Sequence, residues 1–199
     1  MVIPCTSILV VSDSHGNVQA LSAALGWASK EKAAQKRRFA SAIFLGDGEG
    51  DLVPASAQTG FDVPWHKVRG NVDVNFSLPG FLLLEIPALQ CLRESTGKSS
   101  RKLFLAHGNR HGVNEGFREI ASAAKAAGAE AALFGHTHAP HCSMLDGIFL
   151  LNPGSIGRSR SSAGPTFAVL ECPLSGPLSA RIFRLVTKSG KTLVEEIEI

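Results

Sequence analysis

Five short apolar runs in this chain each end in residues of the kinds that bind metal ions. A hydrophobic core has no use for such side chains at strand ends, because a buried polar group destabilises a fold unless it is paired. Runs of this length and composition predict buried β-strands. The sequence therefore predicts a sheet edge with a polar cluster, contributed by Asp13-Ser14-His15, Gly46-Asp47, Gly70-Asn71, His107-Gly108 and Gly135-His136-Thr137-His138.

The last of these motifs places His136 and His138 one residue apart at the end of an apolar run. In an extended segment, alternate side chains point the same way, so both imidazoles can face one ion. Two histidines at a strand end are more often surface residues than ligands. The four other motifs favour a metal site, because each brings an oxygen or imidazole ligand to the same kind of position.

The first half of the chain alternates strands with a helix, which is typical of α/β layering. The predicted strands cover 8–11, 42–45 and 65–69. The helix between the first two begins after Asn17, a residue type that caps helix N-termini. The spacing of apolar residues predicts a buried face made of Leu21, Ala24, Leu25 and Ala28.

The second half predicts mainly antiparallel strands joined by turns. One helix interrupts them, with Asn114 as its N-cap and Gly128 at its C-terminal end. The buried face of this helix is predicted to be Phe117, Ile120, Ala121 and Ala124. A turn is expected at 96–98, and the strands are 81–86, 89–93, 102–106, 131–134, 148–151, 166–170, 180–185 and 192–197.

The composition limits the classes of protein to which this chain can belong. At 199 residues, 44% hydrophobic and 19% charged, the chain predicts one globular domain over 1–199. A net charge of +3 is too small to indicate a nucleic-acid or membrane partner. The four cysteines form no CxxC pair, which favours reduced thiols. The N-terminal apolar run leads directly to Asp13 without a basic leader, so we expect a first strand and a cytoplasmic protein.

In this order, the five motifs resemble those of the calcineurin-like metallophosphoesterases, and more narrowly the small single-domain bacterial and archaeal phosphodiesterases of that superfamily. The resemblance spans 8–160 and includes a sixth motif, Asn152-Pro153-Gly154-Ser155. It implies an α/β (α+β) fold, a four-layer αββα sandwich of two mixed β-sheets flanked by helices. The mixture of parallel and antiparallel strand patterns agrees with that expectation.

The resemblance also implies a cofactor of two divalent metal ions. The family pattern divides seven ligands between them: Asp13, His15 and His138 on one metal, Asn71, His107 and His136 on the other, and Asp47 on both. Imidazole with carboxylate and amide oxygen suits manganese, zinc, iron, nickel or cobalt better than calcium or magnesium, and we expect manganese. Metals about 3.5–4 Å apart would share a hydroxide of lowered pKa that attacks phosphorus in line.

The expected catalytic residues are Asp47, Asn71, His107 and Asp73, the last orienting a ligand from behind. A plain turn carboxylate is an equally good interpretation of Asp73. Arg158 and Arg160 follow the sixth motif and are candidates for contact with the substrate phosphate. A solvated loop is the alternative interpretation of these two arginines.

One departure from the family pattern bears on substrate choice. Many relatives carry a histidine directly after the motif asparagine, suited to protonating the leaving group, whereas this chain has Val72. General-acid help is worth about a hundred- to ten-thousandfold in rate. We therefore expect substrates with good leaving groups, or another proton donor such as His111.

These features predict a phosphodiesterase that hydrolyses a small phosphodiester or nucleotide. One alternative is a non-catalytic interaction scaffold of the same fold, like the retromer subunit, but a scaffold has no chemical reason to keep seven competent ligands. A nuclease is another alternative. It would need a basic groove with aromatic platforms, and the chain has no tyrosine and two tryptophans. We expect no nucleic-acid or membrane partner, and a homo-oligomer is compatible with the sequence.

Overall fold

The computed structural model describes residues 5–87, 100–173 and 176–199. Its α-helices are α1 Val18–Ala33, α2 Leu52–Thr59 and α3 Arg118–Ala126. Its strands are β1 Cys5–Val11, β2 Phe39–Phe44, β3 Trp65–Lys67, β4 Phe81–Pro87, β5 Ser100–Ala106, β6 Ala131–Leu133, β7 Pro140–Leu145, β8 Ile148–Pro153, β9 Thr166–Pro173, β10 Ser179–Lys188 and β11 Lys191–Ile197. The predicted strand at 89–93 and the predicted turn at 96–98 lie outside the described residues.

Six strands form the first sheet, in the order β11-β10-β9-β1-β2-β3. Strand β1 pairs in parallel with β2, which pairs in parallel with β3. Strands β9, β10 and β11 are antiparallel neighbours, and β9 joins β1 with Leu170 opposite Ile8. The parallel pattern predicted for the first half of the chain and the antiparallel pattern predicted for its tail therefore meet in one mixed sheet.

Five strands form the second sheet, in the order β4-β5-β6-β8-β7. Strands β5, β6 and β8 run parallel, while β4 and β7 are antiparallel edge strands. The antiparallel pairing predicted for 81–86 and 102–106 is confirmed, with Leu83 opposite Phe104. The connection from β5 to β6 contains α3, as a parallel crossover requires.

Three apolar clusters separate four layers, which confirms the predicted sandwich. Because side chains alternate along a strand, β1 sends Val10 into the cluster between the sheets and Val11 into the cluster under α1 and α2. On the far side, Phe134 and the neighbouring strands pack against Ile120 of α3. The order of layers is therefore helix, sheet, sheet, helix.

The start of α1 is as predicted, whereas the start of α3 is not. The Asn17 side chain accepts a hydrogen bond from the Ala20 backbone N–H at 3.0 Å, which caps α1. The prediction that Asn114 caps α3 is wrong, because α3 begins at Arg118 and no side chain of the described residues caps it. The φ of 151° at Gly116 lies outside the helical range and keeps Asn114 in a turn.

Three further elements differ from the predicted ones. Strand β3 ends at Lys67, two residues earlier than expected. The sequence pattern predicts neither α2, which buries only Leu52 and Ala55, nor β7, an edge strand of mostly half-buried residues. None of the helices in the described part of the chain is long and apolar enough to span a membrane.

The C-terminal ends of the parallel strands of both sheets meet at one edge of the sandwich. Within the first sheet, the Asp13 N–H donates to the Gly46 carbonyl at 2.9 Å, and within the second, the Gly135 N–H donates to the His107 carbonyl at 3.0 Å. Between the sheets, His107 Nδ1 donates to the Leu45 carbonyl at 2.7 Å. The segments that follow these strands are therefore brought into direct contact.

Candidate metal centre

Five of the seven predicted ligands have left-handed backbone. Such φ angles are uncommon outside glycine and cost on the order of 1–3 kcal/mol each, so they persist where the surrounding structure holds them, above all at functional sites. They turn the chain sharply just beyond the strand ends. The angles are 56° at Asp13, 44° at His15, 61° at Asp47, 67° at His136 and 60° at His138.

Two glycines allow the loops that carry Asp47 and Asn71 to approach each other. A Cβ atom at Gly46 would lie 2.5 Å from the Gly70 backbone nitrogen and 2.9 Å from His107 Nδ1. A Cβ atom at Gly70 would overlap the Asp47 carboxylate. Any side chain at either position would therefore separate the two loops.

Asp13, His15 and His138 form the first group of candidate ligands. His138 Nε2 lies 3.1 Å from Asp13 Oδ1 and 3.1 Å from His15 Nε2. His15 Nε2 lies 3.7 Å from Asp13 Oδ1. Ligand atoms that each lie about 2.0–2.2 Å from a cation have mutual separations of this size, so one ion fits among the three side chains.

His107, Asn71 and His136 form the second group, with Asp47 between the two. His107 Nε2 lies 3.2 Å from Asn71 Oδ1 and 3.3 Å from His136 Nδ1. Asp47 Oδ2 lies 3.3 Å from His107 Nε2 and 3.8 Å from His15 Nε2. The Asp47 carboxylate thus faces both groups, which is where a bridging ligand must lie.

Hydrogen bonds behind two of the histidines decide which ring nitrogens face the centre. His107 Nδ1 donates to the Leu45 carbonyl, and His138 Nδ1 donates to the Arg158 carbonyl at 2.6 Å. Because a carbonyl only accepts, each Nδ1 carries the proton, and each neutral ring presents its Nε2 lone pair to the centre. In this tautomer His138 Nε2 and Asp13 Oδ1 face each other, each with a lone pair. The two atoms form a hydrogen bond only when the His138 ring is doubly protonated.

The Asp13 carboxylate tests whether a cation fits the site. Its Oδ2 accepts from Ser12 Oγ at 2.5 Å and from the His136 N–H at 3.1 Å. Its Oδ1 is buried and has no hydrogen-bond partner among the described residues. A buried oxygen without a partner is costly, and it points at the imidazole lone pairs of the first group. The donor set of nitrogen and oxygen atoms therefore fits a borderline divalent metal ion.

The buried carboxylates and imidazoles shift one another's pKa values. Burial by itself would raise the pKa of Asp13, but the His138 and His15 rings hold it well below its usual range. Burial would lower the pKa of His107, but the contact with Asp47 and the charge of Asp13 raise it. The Asp13 contact also raises the pKa of His138. The two carboxylates therefore attract positive charge to this point, whether a proton or a metal ion carries it.

Asp73 holds the loops that carry the ligands. Its Oδ2 accepts from the backbone N–H groups of Asp47 and Gly70, both at 2.8 Å, and its Oδ1 accepts from those of Gly48 at 2.8 Å and Glu49 at 3.1 Å. Burial would raise the pKa of this carboxyl group, but the four N–H donors lower it. With both oxygens bound to the backbone, Asp73 positions ligands; a direct catalytic role stays a prediction.

Sequence reasoning missed the residues that support Asp13 and the His136 loop from behind. Ser155 Oγ donates to the Asp13 carbonyl at 2.7 Å, and Asn152 Nδ2 donates to the Gly135 carbonyl at 2.9 Å. The sixth motif marks these two residues in the sequence, although their contacts are visible only in the structure. Nothing in the sequence marks Ser12, which donates to the Asp13 carboxylate.

The arginines proposed to contact phosphate border the His138 side of the centre. Both side chains are exposed. The Arg160 N–H donates to the His138 carbonyl at 3.0 Å, and its positive charge opposes the rise in the pKa of His138. On the Asn71 side, the Val72 N–H donates to Asp47 Oδ1 at 3.0 Å while its side chain is 55% exposed.

A two-sheet sandwich with nitrogen and oxygen ligands gathered at one edge is an arrangement that can hold metal ions. Residues 7–173 match the calcineurin-like phosphoesterase superfamily domain, so the chain belongs to that family, and the predicted resemblance is confirmed. The chain is 28% identical over 164 residues to the probable metallophosphoesterase YsnB of Bacillus subtilis (strain 168). These residues make up 82% of this chain and 83% of the B. subtilis protein.

Solved structures share the fold at lower identity. A predicted phosphoesterase from Streptococcus pneumoniae TIGR4 has a TM-score of 0.69 at 20% identity, covering 98% of this chain and 100% of that one. Wild-type Vps29 from Entamoeba histolytica, complexed with Zn²⁺, has a TM-score of 0.64 at 19% identity, and the coverage is 96% and 98%. A novel archaeal phosphodiesterase has a TM-score of 0.60 at 19% identity, again with 96% and 98% coverage.

Proposed function

We propose that this protein is a phosphodiesterase that hydrolyses a small phosphodiester or nucleotide with two divalent metal ions. The observation that carries the proposal is the convergence of the His107 and His138 Nε2 lone pairs on the buried carboxylates of Asp47 and Asp13. A cation satisfies these atoms together, and hydrolysis of phosphoric esters agrees with membership of the phosphoesterase family.

The seven predicted ligands divide between the two ions as the family pattern implies. Asp13, His15 and His138 would hold one, Asn71, His107 and His136 the other, and Asp47 both. When bound, such cations lower the pKa of water and neutralise charge on a phosphoryl group. Manganese is the ion that we expect, with zinc, iron, nickel or cobalt as alternatives of similar ligand preference.

The chain's own residues keep these ligands in place. The Leu45 and Arg158 carbonyls fix two imidazole rings, and Asp73 fixes the Asp47 loop through its backbone. Ligands held in this way need little rearrangement when charge develops during a reaction, which is where preorganised sites gain most of their rate. The exposed side chains of Asn71, Arg158 and Arg160 are the groups that an incoming phosphate can reach.

Val72 supports an activated diester as the substrate. Its isopropyl side chain is exposed directly after the ligand Asn71 and has no proton to donate to a departing oxygen. Without a general acid the rate falls by about a hundred- to ten-thousandfold for leaving groups that need one. Esters with leaving groups of low pKa are therefore preferred over alkyl monoesters.

A protein-interaction scaffold is the second candidate, because Vps29 shares this fold. That Vps29 structure is itself complexed with Zn²⁺, so metal binding alone does not separate the two functions. Turnover of an ester does separate them. The 28% identity to a probable metallophosphoesterase favours the enzyme.

The test combines metal analysis with an ester panel. Purified protein should contain up to two equivalents of a transition metal and hydrolyse bis(4-nitrophenyl) phosphate after addition of Mn²⁺. Asp47→Asn should abolish this activity and keep the fold, because asparagine also tolerates left-handed backbone. Asp62→Asn is the matched control, since Asp62 is exposed and bonds to Lys32 only through its backbone carbonyl.

Two outcomes would contradict the proposal. Bound metal without hydrolysis of any monoester or diester would favour the scaffold. Hydrolysis that survives complete metal removal, or that Asp47→Asn leaves near the wild-type rate, would exclude the assigned centre. A single-stranded oligonucleotide in the same panel tests the nuclease alternative.

A further inference from the structure

A second concavity adjoins the proposed metal centre on its Asn71 side. Its volume is about 270 Å³, and it lies between the loop that follows β3 and the turn that follows β5. We call it the arginine pocket, after Arg69 and Arg110, which line it together with Asn71, Phe76 and Asn109. Because Asn71 belongs to both sites, a ligand bound at the metal centre can extend into this pocket.

The two guanidinium groups of the arginine pocket form no ion pair with a carboxylate of the described residues. Within 5–87, 100–173 and 176–199, neither Arg69 nor Arg110 forms an ion pair or donates a side-chain hydrogen bond. Arg69 lies over the ring of Phe76, with 4.9 Å between the guanidinium carbon and the ring centroid. A cation–π contact of this kind attracts the guanidinium to the ring without using its N–H donors.

Phe76 is otherwise an unexplained surface residue. Its side chain is 79% exposed although it is large and apolar. Its contact with Arg69 gives it a role as a positioning residue for the pocket. Arg110 lies beside Gly80, where an added Cβ atom would be in ordinary van der Waals contact with Arg110 Nη1, at 3.5 Å.

One carboxylate, that of Asp73, is among the described lining residues, and it forms an ion pair with neither arginine. Both of its oxygens are occupied by four backbone N–H groups of the ligand loops. Those N–H groups occupy its acceptor positions but leave its unit negative charge, which the two arginines exceed by one positive charge. The pocket therefore has two free, positively charged, planar groups next to a site for a phosphate ester.

We infer that the arginine pocket binds a second phosphate group of the substrate, one that is not hydrolysed, so that the preferred substrate is a small phosphodiester that carries a further phosphate. The inference rests on the proposed function for the position of the reacting ester. Two guanidinium groups match the oxygens of a phosphate monoester through paired N–H donors, which a carboxamide or an apolar group does not exploit. Arg158 and Arg160 lie on the other side of the centre, by His138, and remain for the reacting phosphate.

The kinetic test uses two substrates that differ only in the second phosphate. Thymidine 5′-(4-nitrophenyl phosphate) and its 3′-phosphorylated form release the same chromophore. The wild type should prefer the 3′-phosphorylated ester by about tenfold or more in kcat/KM, since a hydrogen bond to a charged group is typically worth that factor. Arg69→Gln and Arg110→Gln should each bring the ratio of the two kcat/KM values toward one, mainly through KM.

The matched control is Arg118→Gln, which removes one positive charge from an exposed position at the start of α3. It should keep the wild-type ratio, which separates the pocket from a general effect of net charge. Arg69→Lys keeps the positive charge but loses the planar pair of N–H donors, so it should give an intermediate ratio. It replaces Arg69→Gln in the test if that variant fails to fold. A wild-type ratio near one overturns the inference, as does a preference that Arg158→Gln removes and Arg69→Gln does not.

A binding measurement separates failure of this inference from failure of the proposed function. Thymidine 3′,5′-bisphosphate should bind the protein about tenfold more tightly than thymidine 5′-monophosphate in calorimetric titrations, and Arg69→Gln or Arg110→Gln should remove the difference. If the protein turns over no ester but keeps this difference, the phosphodiesterase proposal fails and the pocket stands. Equal affinities in a protein that is an active esterase refute the pocket alone.

Discussion

Replacement of Asp73 by asparagine tests how the ligand loops are held. The carboxylate accepts hydrogen bonds from Asp47 and Gly70 through one oxygen and from Gly48 and Glu49 through the other. Asparagine has the same shape, but one of its two terminal atoms is an NH₂ group that cannot accept. Whichever way the amide turns, two backbone N–H groups lose their partner and face a donor.

The expected loss follows from these four contacts. A hydrogen bond to a charged group contributes about 1.5–3 kcal/mol, so two lost bonds at the lower value correspond to about 3 kcal/mol of unfolding free energy. For a chain of this size each kcal/mol lowers Tm by about 2–4 °C, which gives a decrease of about 6–12 °C. Metal affinity should fall as well, because the loop that carries Asp47 loses its support.

The pH dependence of the difference has a definite sign. In the folded state the pKa of Asp73 is lowered, so its contribution to stability is present above the unfolded pKa of about 3.9. That contribution is lost as the pH falls through the folded-state value. The gap in unfolding free energy between wild type and Asp73→Asn should therefore be full at pH 7 and should shrink below about pH 4.

Urea unfolding and thermal scans of metal-free protein at several pH values provide the measurement. Asp62→Asn is again the control, because its exposed carboxylate should contribute less than about 0.5 kcal/mol. An Asp73→Asn protein with wild-type Tm and metal content would refute this reasoning. So would a gap that stays constant from pH 7 to pH 3, since a neutral contact would then account for it.

Three more perturbations address the centre itself. Excess EDTA should abolish ester hydrolysis, and Mn²⁺ should restore it better than Mg²⁺; full activity in metal-free protein would argue against a metalloenzyme. Val72→His should flatten the dependence of rate on leaving-group pKa across a series of aryl phosphodiesters, whereas a flat wild-type profile would point to another donor, with His111 the first to replace. Gly70→Ala should reduce metal content in elemental analysis, because its Cβ would overlap the Asp47 carboxylate, and Gly50→Ala, which has open space, should not.

Most of the strands that deliver the ligands could be predicted because they are buried on both faces; the exception is β3, a half-buried edge strand. The segment 8–11, for example, reads as an unbroken apolar run that stops abruptly at Ser12 and Asp13. Strand β7 gives no such signal, because it is an edge strand that begins at Pro140 and consists mostly of half-buried residues. Helix α2 could not be predicted from the sequence either. It has eight residues, one of them a proline, and its two buried side chains are too few to show a helical period.

Asp73 could be predicted as a supporting residue of the centre, but its contacts could not, because they are made with the backbone. Asp73 binds N–H groups, which every residue has, and so its partners leave no trace in the sequence. Arg69 and Arg110 are 41 positions apart by number and share a pocket only because their loops follow strands of different sheets. Pairings of this kind depend on how the two sheets are stacked, which local patterns do not encode.

The backbone at the centre explains why the ligand motifs are so compact. Five ligands lie at φ values between 44° and 67°, where most side chains are strained. Glycine tolerates this region but offers no ligand atom. Aspartate and histidine are among the few residues that both tolerate it and bind metal ions. A tight turn after each strand thus favours the same residue types as metal binding does. Substitution of one of these residues by alanine would remove a metal-ligand atom and leave the backbone strain of the turn unchanged.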